Sequence, residues 1–207
     1  MRRLVIIGVG GFGREVIGIV AAINAVNPTW ELIGVLDDAP SASSSAVLHT
    51  LGHHIIGPID ELSSLGSHAV LAIGSPAIRA RIDAAHPDAR WALLIHPDAT
   101  VGPDVVLGVG AVVAPGARLS TNIRGGRHLQ VDQNVTVGHD TVLGDHVRLN
   151  PQACLSGAVT VGDRTLVGAS AVVLEGRTLG RNVVVGAGAV VTKNVPDDAV
   201  VMGVPAR

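Results

Sequence analysis

Two places in this chain bring together residue types that could do chemistry. The first is Val137-Gly138-His139-Asp140. A neutral imidazole accepts a proton near pH 7, and a carboxylate that holds its Nδ1 proton leaves Nε2 free to do so. Asp140 directly follows His139, and neighbours in a strand point to opposite faces, so the pairing requires a turn at this point. An exposed corner histidine with no task is the competing reading. The second place is Gly8-Val9-Gly10-Gly11-Phe12-Gly13, in which Gly8, Gly10 and Gly13 keep the G-x-G-x-x-G spacing and Asp37 stands 24 residues beyond Gly13. Amides of such a turn, at the positive end of a helix, suit a phosphate, and an acid near Asp37 suits a ribose. A tight turn without a ligand is the alternative.

The element that must position His139 is a repeat. Every sixth residue from Ile95 through Val191 is aliphatic, with Gly125 as the only exception. A helix needs apolar residues every three or four positions and a flat strand every second one, so a strict six fits neither. It fits a coil of short strands, the hexapeptide β-helix, in which three hexads make one turn and coils stack as parallel strands about 4.8 Å apart. Glycine often follows the aliphatic residue, as at Gly138, Gly162 and Gly180, and reads as the residue that accepts the backbone angles of each corner. Residues 18 apart then lie above one another, which puts His139 over Gly157. A base opposite a bare backbone N–H is a base opposite an oxyanion donor.

The same arithmetic stacks His128, His146 and Arg164, and also Asp145 and Asp163. Two histidines and an arginine are a poor metal set, and the acids read as a solvated edge. Gly125-Gly126 breaks the apolar register and reads as a loop or loosened corner. Cys154 belongs to a different corner from His139. Val195 to Asp198 is expected to stop the repeat, with Val200 to Arg207 folding back as a cap.

The glycine turn needs a strand before it and a helix after it. Leu4 to Ile7 reads as a buried strand, and Arg14 to about Val26 as the helix. Leu32 to Leu36 is a second strand, Ser41 to Ser45 a loop, and Ile59 to Leu65 a short helix. His49, His53 and His54 read as solvated loop histidines. Ala69 to Ile73 is a third strand ending at Gly74, Pro76 to about Ala85 a Pro-initiated helix, and Ala92 to Ile95 a fourth strand. The reading is therefore an α/β unit over residues 1–94, sized for a mononucleotide group, and a β-helix over 95–207.

Composition sets the outer bounds. A net charge of −2 offers no electrostatic case for nucleic acid or an anionic membrane. One cysteine excludes an intramolecular disulfide and any multi-cysteine metal site. The uncharged run from Val16 to Trp30 is too short to span a bilayer. Met1-Arg2-Arg3 and the apolar residues after it mimic a secretion signal faintly, but Gly8 to Glu15 interrupt the core such a signal needs. A cytoplasmic place is expected. One Phe, two Trp and no Tyr fit a narrow interior with little room for rings.

The whole chain resembles the PglD/NeuD-like sugar acetyltransferases of the left-handed β-helix superfamily. The resemblance rests on the glycine turn, Leu36-Asp37-Asp38, Ala72-Ile73-Gly74, Ile95-His96-Pro97, Gly138-His139-Asp140, Ser156-Gly157, Gly186 to Val191 and Gly203-Val204-Pro205-Ala206. It implies a Rossmann-like nucleotide-sugar-binding domain, a left-handed β-helix domain and a homotrimer that transfers acetyl from acetyl-CoA to a sugar amine or hydroxyl, without a metal. It further implies His139 as general base, Asp140 as its orienting acid and Gly157 N–H on the thioester carbonyl. CoA would lie between neighbouring β-helices near Ala169 and Ala187. Gly8, Gly10, Gly11, Gly13, Asp37, Gly74 and Arg148 fall to the substrate, with a UDP group at the glycine turn. Relatives can carry glutamate at the position of Asp140 and histidine at that of Arg148. Other functions compatible with the sequence are O-acetylation of sialic acid or another sugar hydroxyl, and a non-catalytic trimeric sugar-nucleotide-binding protein. An NAD-dependent oxidoreductase would leave the hexads idle.

Overall fold

The computed structural model describes all residues 1–207, in two compact units, Met1–Leu94 and Ile95–Arg207. The first is a Rossmann-like α/β unit. Its strands are β1 (Arg2–Ile7), β2 (Trp30–Leu36), β3 (Ile55–Gly57), β4 (His68–Leu71) and β5 (Arg90–Trp91), and its helices are α1 (Gly11–Val26), α2 (Ala42–Thr50) and α3 (Pro76–Ala85). The sheet order is β3-β2-β1-β4-β5, all parallel. Leu4, Val5, Ile6 and Ile7 are fully buried, as a central parallel strand covered on both faces requires.

Two expectations fail here. Ser41 to Ser45 is not a loop: Ser41 caps α2 by accepting from the Ser44 N–H at 3.1 Å, and His49 lies in that helix's last turn. A run of serines is poor in intrinsic propensity, yet a good cap starts the helix. Ala92 to Ile95 is not the fourth strand either. Arg90–Trp91 pairs with His68–Ala69, whereas Leu94–Ile95 opens the coil sheets.

The second unit is a left-handed parallel β-helix with faces of seven, six and five strands. Pairing advances by 18 residues per coil, as in Leu119, Val137, Leu155, Val173 and Val191, which stack as one column. These five side chains, with Val135, Val147, Val159 and their like, form a continuous core.

The hexad glycines do not hold the left-handed corner angles. Positive φ recurs every six residues, but three positions after the aliphatic residue, at Asp104, Asn122, Asn134, Asp140, Gln152, Ala158 and Asn182 among others. Glycine one position after the aliphatic is required by stacking: a Cβ at Gly138 would lie 2.5 Å from the Ser156 carbonyl carbon, and one at Gly168 would lie 2.6 Å from Ala187 N. Adjacent coils simply touch there.

Gly125 marks no loosened corner. Ile123–Gly125 is a strand paired on both sides, and its missing side chain is replaced by Leu107 and Leu129, whose Cδ2 atoms stand 2.9 and 2.7 Å from where a Cβ would be. The Asp145 and Asp163 column is more than a solvated edge. Asp145 accepts from the Arg127 N–H at 2.8 Å, Asp163 from the Asp145 N–H at 2.9 Å and Asp197 from the Arg181 N–H at 2.8 Å, so carboxylates cap the corner amides of the coil below. The coil runs further than expected and the cap is shorter: Val200–Val201 pairs with Val184–Val185 as a further rung, and the fold-back begins only after it, with Ala206 N–H on Val190 O at 2.8 Å.

Two threonines face the core. Thr165 is satisfied, donating to Gly180 O at 2.7 Å and accepting from Val183 N–H at 3.0 Å. Thr141 is fully buried and its hydroxyl has no partner. Thr141→Val keeps the shape and removes that cost, so stability should rise by about 1 kcal/mol. A denaturant midpoint that does not rise would show that the hydroxyl is accommodated some other way.

Candidate active site

His139 and Asp140 sit at a corner of the β-helix, immediately after the strand Thr136–Val137. The left-handed conformation of Asp140, φ 59°, supplies the turn that lets two adjacent side chains meet. His139 Nδ1 and Asp140 Oδ2 are 2.7 Å apart, with both side chains about half exposed. The imidazole lies over Gly157: a Cβ on that glycine would stand 2.6 Å from His139 Nε2 and 2.5 Å from Cε1. The bare glycine makes the space for the ring.

The Gly157 N–H donates to no group of the chain. The contrast with the next corner is informative, because there the corresponding amides of Arg127, Asp145 and Arg181 are each capped by a carboxylate from the coil above. At the His139 corner an amide stays open beside a base. An amide and an imidazole nitrogen facing one volume can hold a carbonyl oxygen and take a proton from a nucleophile attacking it.

Sequence reasoning missed Asn122, one coil below. Its Nδ2 donates to Asp140 Oδ1 at 2.6 Å. This bond, and then the one from the imidazole, hold the Asp140 carboxyl below the ordinary carboxylate range. Stacking arithmetic run downward from Asp140 would have found it.

The remaining site candidates divide. Arg148 donates to Asp132 Oδ2 through Nη2 at 2.9 Å and Nε at 3.2 Å, a pair that is 18% and 1% exposed, so its guanidinium is already engaged within the chain. Ala169 and Ala187 stack across 18 residues at another corner, where Gly188 N–H donates to Ala169 O at 2.8 Å. The rings of His128 and His146 stack at 5.4 Å, and Arg164 turns away to Asn182 Oδ1 at 2.7 Å. Cys154 points outward from the strand Cys154–Leu155, level with Thr136 and Val172 and away from the corner.

In the front unit the four glycines split by role. Gly8 has φ 103°, which a side chain resists, and Gly13 packs against the Gly8 carbonyl. Gly10, which caps α1, and Gly11 face open space. Asp37 braces the turn: Oδ2 accepts from Val9 N–H at 2.8 Å and Oδ1 from Ala39 N–H at 2.9 Å. Gly74 is held from below by Arg79, a fully buried guanidinium that donates to Ile73 O at 2.9 Å and Gly74 O at 3.1 Å. Arg79 was not singled out from the sequence.

Comparison with known proteins gives these features a lineage. Residues 3–84 match the PglD N-terminal domain family, and residues 158–193 the hexapeptide repeat of succinyl-transferase. The acetyltransferase domain of PglB from Neisseria gonorrhoeae, solved in complex with acetyl coenzyme A, is 34% identical with a TM-score of 0.89, covering 100% of this chain and 98% of that one. The chain belongs to the PglD/NeuD-like sugar acetyltransferases. PerB from Caulobacter crescentus, solved with CoA and GDP-perosamine, is 31% identical with a TM-score of 0.85 over 99% of this chain and 95% of its own. A GDP-perosamine N-acetyltransferase of Escherichia coli O157:H7 is 36% identical over 66 residues, a stretch that spans 32% of this chain and 30% of that relative. As a PglD/NeuD-like protein the chain is an acyltransferase, and no helix in it is long and apolar enough to cross a membrane.

Proposed function

We propose that this protein transfers the acetyl group of acetyl-CoA directly to the amino group of a nucleotide-linked amino sugar. The observation that carries the reading is the His139 imidazole over the open Gly157 amide, oriented by Asp140 at 2.7 Å. The sugar amine attacks the thioester carbonyl carbon while His139 Nε2 takes its proton. The Gly157 N–H stabilises the oxyanion as it forms, and collapse expels the CoA thiolate, which recovers the proton from the imidazolium. No acyl-enzyme is required. Acetyl-CoA lies along the groove between neighbouring β-helices of a homotrimer, against Ala169 and Ala187.

The front unit holds the nucleotide diphosphate, with Gly10 and Gly11 at the start of α1 facing the phosphates and Gly8, Gly13, Asp37 and Gly74 keeping the turn in shape. We read the base as uracil. Guanine is the second reading, favoured by the GDP-perosamine complex of PerB. Thermal shift separates them: a nucleotide at a hundredfold its Kd stabilises the unit that binds it by about 2.7 kcal/mol. A shift with UDP alone supports the proposal, a shift with GDP alone replaces the base, and no shift with either ends the nucleotide reading. Release of CoA thiol with nucleotide-linked amino sugars, and its absence with free sialic acid, tests the transfer itself.

A further inference from the structure

We infer that Asn122 is a positioning residue for the transfer, its amide holding the Asp140 carboxylate in the one orientation that keeps the His139 Nδ1 proton in place. The inference rests on the acetyl-transfer reading and extends it. Asp140 stands on the half-exposed outside of a corner, where a neighbouring histidine competes with water for its oxygens. An exposed pair of this kind is too weak to keep a single rotamer by itself. A second anchor on the other oxygen is what this corner adds: Asn122 Nδ2 donates to Oδ1 at 2.6 Å while Oδ2 meets Nδ1 at 2.7 Å. The carboxylate is thereby fixed at both ends.

The layer beneath is fixed in turn. Asp140 N–H donates to Thr121 O at 3.1 Å, and the Thr121 hydroxyl donates to Pro103 O at 2.8 Å. Below Asn122 in the column, Asp104 is occupied by Arg124, which reaches both its oxygens at 3.0 Å. Above Asp140 stands Ala158, and above Gly157, in the histidine's own column, Glu175. Among these groups only Asn122 and His139 bond the Asp140 carboxylate.

Asn122 has its own backbone reason to be there, since φ is 53° and asparagine tolerates the left-handed region. Asn122→Gly separates the two roles because glycine keeps the backbone and deletes the amide. The expected result is a fall of about tenfold in kcat with KM for acetyl-CoA and acceptor unchanged, as for a group held slightly out of line. Nitrogen-15 NMR of the His139 ring should change from one Nδ1–H tautomer to a mixture of two, while the thermal midpoint stays put. Asn122→Asp keeps the shape but sets a carboxylate against Asp140. The added negative charge favours imidazolium, so the acid limb of kcat/KM should move to higher pH. A single Nδ1–H tautomer and unchanged kcat in Asn122→Gly, or an unmoved acid limb in Asn122→Asp, would overturn the inference. The tautomer measurement does not depend on turnover, so a chain that transferred no acetyl would defeat the reading of function and still decide the role of Asn122.

Discussion

His139→Ala is expected to lower kcat for acetyl transfer by about 10²- to 10⁴-fold, the range a positioned general base supplies. KM for acetyl-CoA should hold, because the proposed CoA contacts lie at Ala169 and Ala187 rather than at the ring. The fold should hold too. The imidazole is half exposed, and the backbone bond that ties this corner to the next coil, Ala158 N–H to His139 O at 2.7 Å, needs no side chain. The pH dependence makes the test sharper. A rate carried by a general base has an acid limb, below which the base is protonated. Asp140, whose carboxyl is held below the ordinary carboxylate range by Asn122 and then by His139, does not set such a limb near neutral pH. In His139→Ala the limb should vanish along with most of the rate. If kcat stays near the parent value, or if the variant keeps the same acid limb, the base lies elsewhere. A companion His139→Asn variant, matched in polarity, guards against a trivial loss of solubility.

The coil was legible because its period is incompatible with any other element. An aliphatic residue every six positions survives the single exception at Gly125, and the interior fills that exception with Leu107 and Leu129. The corner conformation was not legible. The left-handed position favours the residues that tolerate it, as at Asp104, Gly116, Asn134 and Asn182, but Gln152, Ala158, Arg164 and Ser170 take it as well, so its residue-type signal is diluted and the glycine after each aliphatic residue was the more visible one. Glycine was visible, but its reason was misread: it marks where coils touch, and the turn itself comes two residues later. The aspartates at 145 and 163 were read as solvent-facing because stacking arithmetic says which residues share a column and is silent on which amides in that column are capped. At the site, the juxtaposition of His139 with Gly157 followed from the repeat read upward, and Asn122 was missed because the same arithmetic was not run downward from Asp140. In the front unit, helix α2 was hidden because capping by Ser41 is decided by one hydrogen bond, and propensity over Ser43-Ser44-Ser45 argues the other way.

Gly157→Ala carries the second large effect, and it discriminates between the two things that glycine does. Gly157 does not lie in the left-handed region, so alanine brings no backbone strain, only a methyl. That methyl would lie 2.5 Å from His139 Cε1 and 2.6 Å from Nε2, well inside contact distance, and the ring must swing toward solvent to clear it. Alanine keeps its own N–H, but the methyl points into the volume beside the ring, where it crowds the place in which the thioester oxygen would meet that amide. Losing one oxyanion donor costs about 10²- to 10³-fold in kcat, and a displaced base adds to that, while stability should change by less than about 1 kcal/mol because the ring has solvent to move into. The double variant with His139→Ala separates the routes. If the methyl acts only by pushing the ring, it has nothing to push once the ring is gone, and the double variant should match His139→Ala. If the amide stabilises the oxyanion in its own right, the double variant should fall below His139→Ala. Parent-level kcat in Gly157→Ala would mean that neither the ring's place over this glycine nor the open amide matters to turnover, and the proposed chemistry at this corner would have to be abandoned.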